Sequence, residues 1–229
     1  MVSVIIPTWN EAARVGATVA AARRDYGPEE AEVVVSDAGS TDATVGLVPP
    51  GVVVVTGRRG RGTQMNRGAA ASRGHTLVFC HADTTLPRGW REAVQATLAR
   101  PDVSGGAFHV RLDPARGLLR LLNLPRYPAH WRILFGDQVQ FTRRSTFEAV
   151  GGFPDIPLME DIELARRLAE VGHLARAPLR VTTSARRFEE RGEVRQGLTN
   201  AWNLVRYLFL GASPEAVARS YVSRRERGR

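Results

Sequence analysis

The chain has 229 residues, 43% of them hydrophobic, which is enough for one α/β domain with a sizeable core or, as the less favoured reading, two small ones. Its 32 basic and 23 acidic residues leave a formal charge of +9, so the expected partners are anionic: nucleotides, phosphorylated acceptors, nucleic acid or an anionic lipid surface. A single cysteine, Cys80, excludes an intramolecular disulfide, and no zinc-ligand spacing is present.

Val2–Ile6 reads as a first buried strand, and Pro7, Thr8, Trp9 and Asn10 turn into a helix expected from about Glu11 to Arg24, with Asn10 as its N-cap. Glu32–Val35 is a second strand, ending in Ser36, Asp37, Ala38, Gly39, Ser40, Thr41 and Asp42; Val52–Val55 is a third. Between Gly57 and Gly74 runs GRRGRGTQMNRGAAASRG, whose second half has helix-forming alanines. Leu77, Val78, Phe79 and Cys80 form a continuous apolar run, the mark of a strand buried on both faces of a parallel sheet. A helix is expected from about Arg88 to Ala99. Strands alternating with helices point to right-handed crossovers and a mostly parallel, nucleotide-binding sheet over 1–100.

The later residues change character. Ala107–Leu112 alternates like a strand, Leu118–Leu124 is an apolar helix, Val139–Thr142 is a strand, and Ser145–Val150 is a short helix stopped by Gly151 and Gly152. Ile162–Val171 has helical apolar spacing, with Glu160 and Asp161 at its start. After a strand near Leu179–Thr183, SARRFEERG is expected to be a basic loop. A long helix over about Val194–Leu210 carries Leu198, Trp202, Val205 and Leu208 or Phe209 at helical spacing, expected to pack on the domain, a second subunit or a membrane. The tail SRRERGR is expected to be disordered. Acceptor and catalytic functions would fall in 101–192, followed by a C-terminal helix and basic tail in 193–229. Met1–Thr8 lacks the basic leader of a signal peptide, and no apolar run reaches the ~20 residues that span a bilayer. A cytoplasmic protein is expected, with peripheral membrane contact left open.

In an open parallel sheet, ligands bind beyond the carboxyl ends of the strands, and there His81, Ala82 and Asp83 fall after the fourth strand and Asp37 after the second. Asp83 suits a divalent cation and equally a helix cap; Asp37 suits a base or ribose contact and equally a turn that bonds its own backbone. Arg58, Arg59 and Arg61 among glycines suit a diphosphate, or make a solvated basic loop. The passage lacks the Lys of a Walker loop. Glu160 or Asp161 suits a general base, although acidic residues are also favoured wherever a helix begins.

Taken in order, SVIIPTWNE, VVVSDAGSTDAT, RGRGTQMNRGA, LVFCHADTTLP and GGF followed by MEDIELARRL resemble the family 2 glycosyltransferases of the GT-A fold, in their short soluble bacterial branch. The resemblance runs from Val2 to about Leu168. It implies inverting transfer of a sugar from a nucleotide-diphosphate donor, UDP- or GDP-linked, to a hydroxyl or phosphate acceptor. It assigns Thr8, Asn10, Glu11 and Asp37 to the nucleotide, with Asp37 reading the base, and Arg61 and Asn66 to the ribose and diphosphate. Asp83 matches the last carboxylate of the metal-binding DXD, with Ala82 beside it at the nucleotide sugar, for Mg²⁺ or Mn²⁺. The first Asp of that motif is His81 here, which can ligate a metal but adds no negative charge. Asp161 matches the general base, and Arg186 and Arg187 the phosphate contacts. A homodimer is possible; nucleic acid is not expected. Two other functions compete. A sugar nucleotidyltransferase would carry a Gly-rich signature with a Lys where PTWNEAARVG stands, and a non-catalytic basic nucleotide- or nucleic-acid-binding protein would show an aromatic-interleaved basic patch.

Overall fold

A computed structural model of the chain describes residues 1–114, 123 and 128–221, apart from the side chains of Arg187, Glu190, Arg191 and Tyr221. The expected helix Leu118–Leu124, Asn123 aside, and the tail from Ser223 lie outside the described residues. Strand β1 (Val2–Thr8) runs parallel between β2 (Ala31–Asp37) and β4 (Thr76–Phe79), and β3 (Val53–Thr56) lies outside β2. β7 (Gln140–Arg143) pairs antiparallel with β4, β6 (Val103–Asp113) antiparallel with β7, β8 (His173–Ser184) parallel with β6, and the short β5 (Thr84–Thr85) antiparallel with β8. The order is β3-β2-β1-β4-β7-β6-β8-β5. The sheet is therefore mixed: its first four strands are parallel as expected, and β7 turns its direction.

The continuous apolar runs bury both faces. Val4, Ile6 and Val78 join Val19 of α1 (Val15–Arg23) and Val94 of α3 (Trp90–Leu98) on one side. On the other, Ile5, Leu77 and Phe79 meet Met65 of α2 (Arg61–Ala71), Phe147 of α4 (Arg144–Ala149) and Leu164 and Leu168 of α5 (Glu160–Val171). Each such side chain taken fully from water contributes about 1.5–3 kcal/mol, so β1 and β4 are the anchored centre.

Three expectations change. Helix α1 starts at Val15, not Glu11, and Asn10 is not its cap. Asn10 has φ +53°, and the Asn10, Glu11 and Ala12 N–H groups donate instead to Ser40 Oγ (2.9 Å), Thr44 Oγ1 (2.8 Å) and Asp42 Oδ2 (3.2 Å) of the neighbouring loop. SARRFEERG is largely a helix, α6 (Arg186–Arg191), because Phe188 packs on Leu112 and Ala185 and so gives the segment an inner face. It leads into α7 (Glu193–Phe209) and then α8 (Pro214–Tyr221), which sequence periodicity did not single out. No helix among the described residues is long and apolar enough to cross a membrane.

β6 fits between β7 and β8 because Gly105 and Gly106 have no side chains. A Cβ on Gly106 would stand 2.2 Å from the Ala175 carbonyl oxygen and 2.9 Å from the Phe141 ring. Backbone cannot step aside cheaply there. Gly106→Ala is expected to cost about 1–3 kcal/mol of stability by overpacking, read as a lower urea midpoint with an unchanged m-value; an unchanged midpoint contradicts this packing.

Candidate functional site

The carboxyl ends of β1 and β2 are tied together by a buried polar network. Gln64 of α2 donates to both the Thr8 (2.8 Å) and Ser36 (2.9 Å) carbonyls, and Arg67 donates to the Asp37 carbonyl (2.9 Å). Asp37 is 1% exposed. Its Oδ1 accepts from Thr8 Oγ1 (2.9 Å) and Ser40 Oγ (2.6 Å), its Oδ2 from the Gly39 and Ser40 N–H groups (2.8 Å each). Burial pushes its pKa up, but these donors outweigh it and hold the carboxyl below its ordinary range. Asn10 Oδ1 accepts from the Thr41 N–H at 2.9 Å, so Thr8, Asn10 and Asp37 together shape the loop of residues 38–44.

At the end of β4, the Ala82 carbonyl accepts from Thr18 Oγ1 (2.6 Å) and the Asp83 carbonyl from the Ser184 N–H (3.1 Å). These bonds fix the turn to α1 and β8. A cleft of about 210 Å³ opens there, lined by Arg14, Thr18, Ala82, Asp83, Asp113 and Thr182. Glu11 faces Asp83: burial, then the charge of Asp83, raise its pKa, while Arg186 and Arg14 lower it. Arg186 thus acts on Glu11 through its charge, whereas the side chain of Arg187 is not among those described.

Glu160 and Asp161 diverge at the first turn of α5, as adjacent helical residues must. Asp161 Oδ2 accepts from the Gly136 N–H (2.7 Å) and Oδ1 from the Ile162 N–H (2.8 Å). Gly136 lies between Asp161 and His81, with room for no Cβ: that atom would sit 2.8 Å from His81 Nε2 and 3.3 Å from Asp161 Oδ2. Glu160 turns inward, 1% exposed, and its Oε1 pairs with Arg61 Nε at 2.9 Å while Oε2 has no hydrogen-bond partner among the described residues. Burial raises its pKa against the pull of Arg61, and Asp161 adds to the rise.

The residue that sequence reasoning missed is Asp137, in the turn after Gly136. Burial, then the charges of Asp161 and Asp83, push its pKa up to about 6, with Arg176 and Arg61 opposing. Its Oδ1 is shielded from solvent and has no hydrogen-bond partner among the described residues. The only sequence signal was an acidic residue directly after the apolar run Ile133–Phe135 and Gly136. Glu11, Asp83, Asp137 and Asp161 thus share one electrostatic field in the crevice.

Such a field fits a hard divalent cation. Among the described residues no three His, Cys, Asp or Glu side chains converge into a cage. A cation held by Asp83, with His81 as its neighbour, would draw its remaining oxygen ligands from a phosphate group, the usual manner of Mg²⁺.

The arginines of the glycine-rich passage differ in commitment. Arg61 is bound to Glu160, and Asn66 grips the Gly152–Phe153 turn, donating to the Phe153 carbonyl (2.8 Å) and accepting from its N–H (3.0 Å). Arg58 pairs with Asp155, both well exposed, and Arg59 lies 3.4 Å from the centre of the Trp9 ring.

Comparison with known proteins gives the family and the fold. A family model described as Glycosyl transferase family 2 matches residues 3–152. A probable glycosyltransferase of Bacillus subtilis (strain 168), YdaM, is 28% identical over 214 residues, 79% of this chain and 50% of that protein, so the chain spans about half the length of this curated relative. Residues 1–349 of S. aureus TarS in complex with UDP superpose with a TM-score of 0.66 at 16% identity, covering 80% of this chain and 60% of that one. The mannosyltransferase PcManGT from Pyrobaculum calidifontis, in complex with GDP-Man and Mn²⁺, gives 0.63 at 20% identity over 97% of this chain and 70% of its own.

Because folding raises the Asp137 pKa from 3.8 to about 6, the folded chain holds that proton more tightly than the unfolded one. The resulting stabilisation is complete below the unfolded pKa and is lost as pH rises through the folded value. The urea midpoint of the parent is therefore expected to fall relative to Asp137→Asn as pH rises from 3.8 to about 6. Parallel pH profiles for the two proteins contradict a shared carboxylate field.

Proposed function

This chain belongs to glycosyl transferase family 2, and from that premise we propose that it moves a sugar, with inversion at the anomeric carbon, from a UDP- or GDP-sugar to an acceptor hydroxyl or phosphate. One observation carries the reading: Asp161, set at a helix start and aimed by the Gly136 N–H, shares a crevice with His81 and Asp83 at the carboxyl end of β4. The nucleotides bound by the structural relatives support the donor class.

With a hydroxyl acceptor, its oxygen attacks the anomeric carbon on the face opposite the diphosphate, and Asp161 takes the hydroxyl proton. The glycosidic bond to the diphosphate breaks, and its electron pair leaves with the phosphate oxygen. Each Asp161 oxygen spends one lone pair on a backbone N–H and keeps another for the acceptor. Asp83, with His81, would hold Mg²⁺ or Mn²⁺, which supplies positive charge beside the leaving diphosphate. Arg186, whose charge is felt by Glu11 next to Asp83, would add a further cation for the phosphates.

The nucleotide contacts divide according to what the side chains already bind. Asp37 has all its acceptor positions filled, so its part is to hold the Gly39–Ser40 backbone against which the base rests. Arg58 and Arg59 are the phosphate contacts that can be redeployed, since an exposed ion pair such as Arg58–Asp155 is worth only about 0–1 kcal/mol. Arg61 positions Glu160, and through it α5.

Asp161→Asn is expected to retain donor binding while turnover falls by about 10²–10⁴-fold, the usual contribution of a general base. Donor binding is read by thermal shift across UDP-, GDP-, CMP- and dTDP-sugars, since a ligand of the native state raises the midpoint. Parental turnover in that variant sinks the base assignment, and no shift with any donor sinks the donor class. Asp83→Ala is expected to abolish the extra shift that Mn²⁺ adds to the preferred donor; an undiminished Mn²⁺ effect removes Asp83 as the ligand.

A further inference from the structure

Helix α7 faces the wrong way for a soluble domain. At 100° per residue, Val194, Leu198, Ala201, Trp202, Val205 and Phe209 fall within an arc of about 100°. All six are exposed, with Leu198 and Phe209 at 67% and Trp202 at 58%, and Leu210 continues the patch at 61%. The side turned to the protein is polar instead. Gln196 and Asn203 are buried, Gln196 donates to Asn200 Oδ1 (2.7 Å), Ser220 of α8 donates to Asn203 Oδ1 (2.9 Å), and Tyr207 donates to Glu163 of α5 (2.7 Å). The expectation that the stripe packs on its own domain is thereby overturned: the Tyr207–Glu163 bond ties the helix to α5, its buried amides serve α7 and α8, and its apolar face is left outward.

We propose that this face binds an anionic lipid surface, with α7 lying in the plane of the bilayer interface. Charge decides between occupants. Residues 193–229 carry seven arginines against Glu193, Glu215 and Glu226, and the whole chain is at +9. Arg195 and Arg206 border the stripe on one side of the helical wheel, as in interfacial helices whose apolar wedge is flanked by cations. Two copies meeting through this face would bring like charges together, and six side chains of one helix fall short of the roughly 20–30 residues a side that a stable interface uses. An anionic bilayer uses both features at once: apolar insertion and basic attraction are the two signals that stable peripheral binding needs. Trp202 suits that depth, with its indole ring among acyl chains and its N–H toward the headgroups.

The test is flotation of the full chain with vesicles of phosphatidylcholine alone or mixed with phosphatidylglycerol. The parent is expected to float with the mixed vesicles and to stay behind with the neutral ones. The variant Leu198→Ser/Trp202→Ser/Phe209→Ser is expected to lose at least about tenfold in binding, with its thermal midpoint at the parental value because all three side chains are exposed. Trp202→Phe keeps the fold and the stripe, and is expected to abolish the vesicle-induced blue shift of tryptophan emission. A parent that does not float overturns the proposal, as does a triple variant that floats equally well, which would mean adhesion by charge alone. Sedimentation velocity showing a dimer that the triple variant makes monomeric, with neither protein floating, would assign the face to a second copy instead.

Discussion

The site depends on one buried ion pair. Glu160 is almost wholly inaccessible, and Arg61 is the cation that reaches it. A carboxylate taken out of water is costly unless it is paired, so the pair clamps the start of α2 to the start of α5. The backbones can close to that distance because Gly62 has no side chain: a Cβ there would stand 2.6 Å from the Pro154 carbonyl oxygen and 3.4 Å from Glu160 Cβ. With Glu160 held inward, the next residue must point a third of a turn away. That direction is the crevice, where the Gly136 N–H receives Asp161.

The same crevice gathers negative charge that the fold alone has little reason to collect. Asp137 is held up in pKa by burial and by the charges of Asp161 and Asp83, and Glu11 by burial and Asp83. Arg61, Arg176 and Arg186 offset part of this field from three different elements. Like charges gathered at the carboxyl edge of a sheet destabilise the resting protein, and such conflicts cluster at functional sites. The outward apolar face of α7 is a second departure from what stability alone would select, and it stands on an element outside the residues matched by the family model.

Much of the first half was legible before any coordinates. The mainly apolar run at Val2–Ile6 and the continuous one at Leu77–Cys80 read as strands covered on both faces, and both lie at the centre of the sheet. The chemistry-bearing residues Asp37, at the end of the second strand, and Asp83, after the fourth, followed from the rule that parallel sheets bind ligands beyond their carboxyl edges. Boundaries were less legible: β8 is twelve residues long where only its last part was expected, since Arg176 interrupts the apolar pattern of its first part and finds its partners at the Phe108 carbonyl and Gln138, far away in sequence.

The sequence by itself therefore determined the alternation of strands and helices, the parallel half of the sheet and the set of polar residues at its edge, because periodicity and turn chemistry act over a few neighbouring residues. Only the tertiary structure decided which of those polar groups are already spent. Asp37 is filled by its own loop together with Thr8, Asn66 is engaged by the Phe153 backbone and Arg61 is paired with Glu160, the long-range partners lying 29, 87 and 99 residues away for Thr8–Asp37, Asn66–Phe153 and Arg61–Glu160. It also brought Asp137 to Asp161 and turned the apolar stripe of α7 outward. Pairing across such distances depends on how the whole chain packs, and a local pattern carries no record of it.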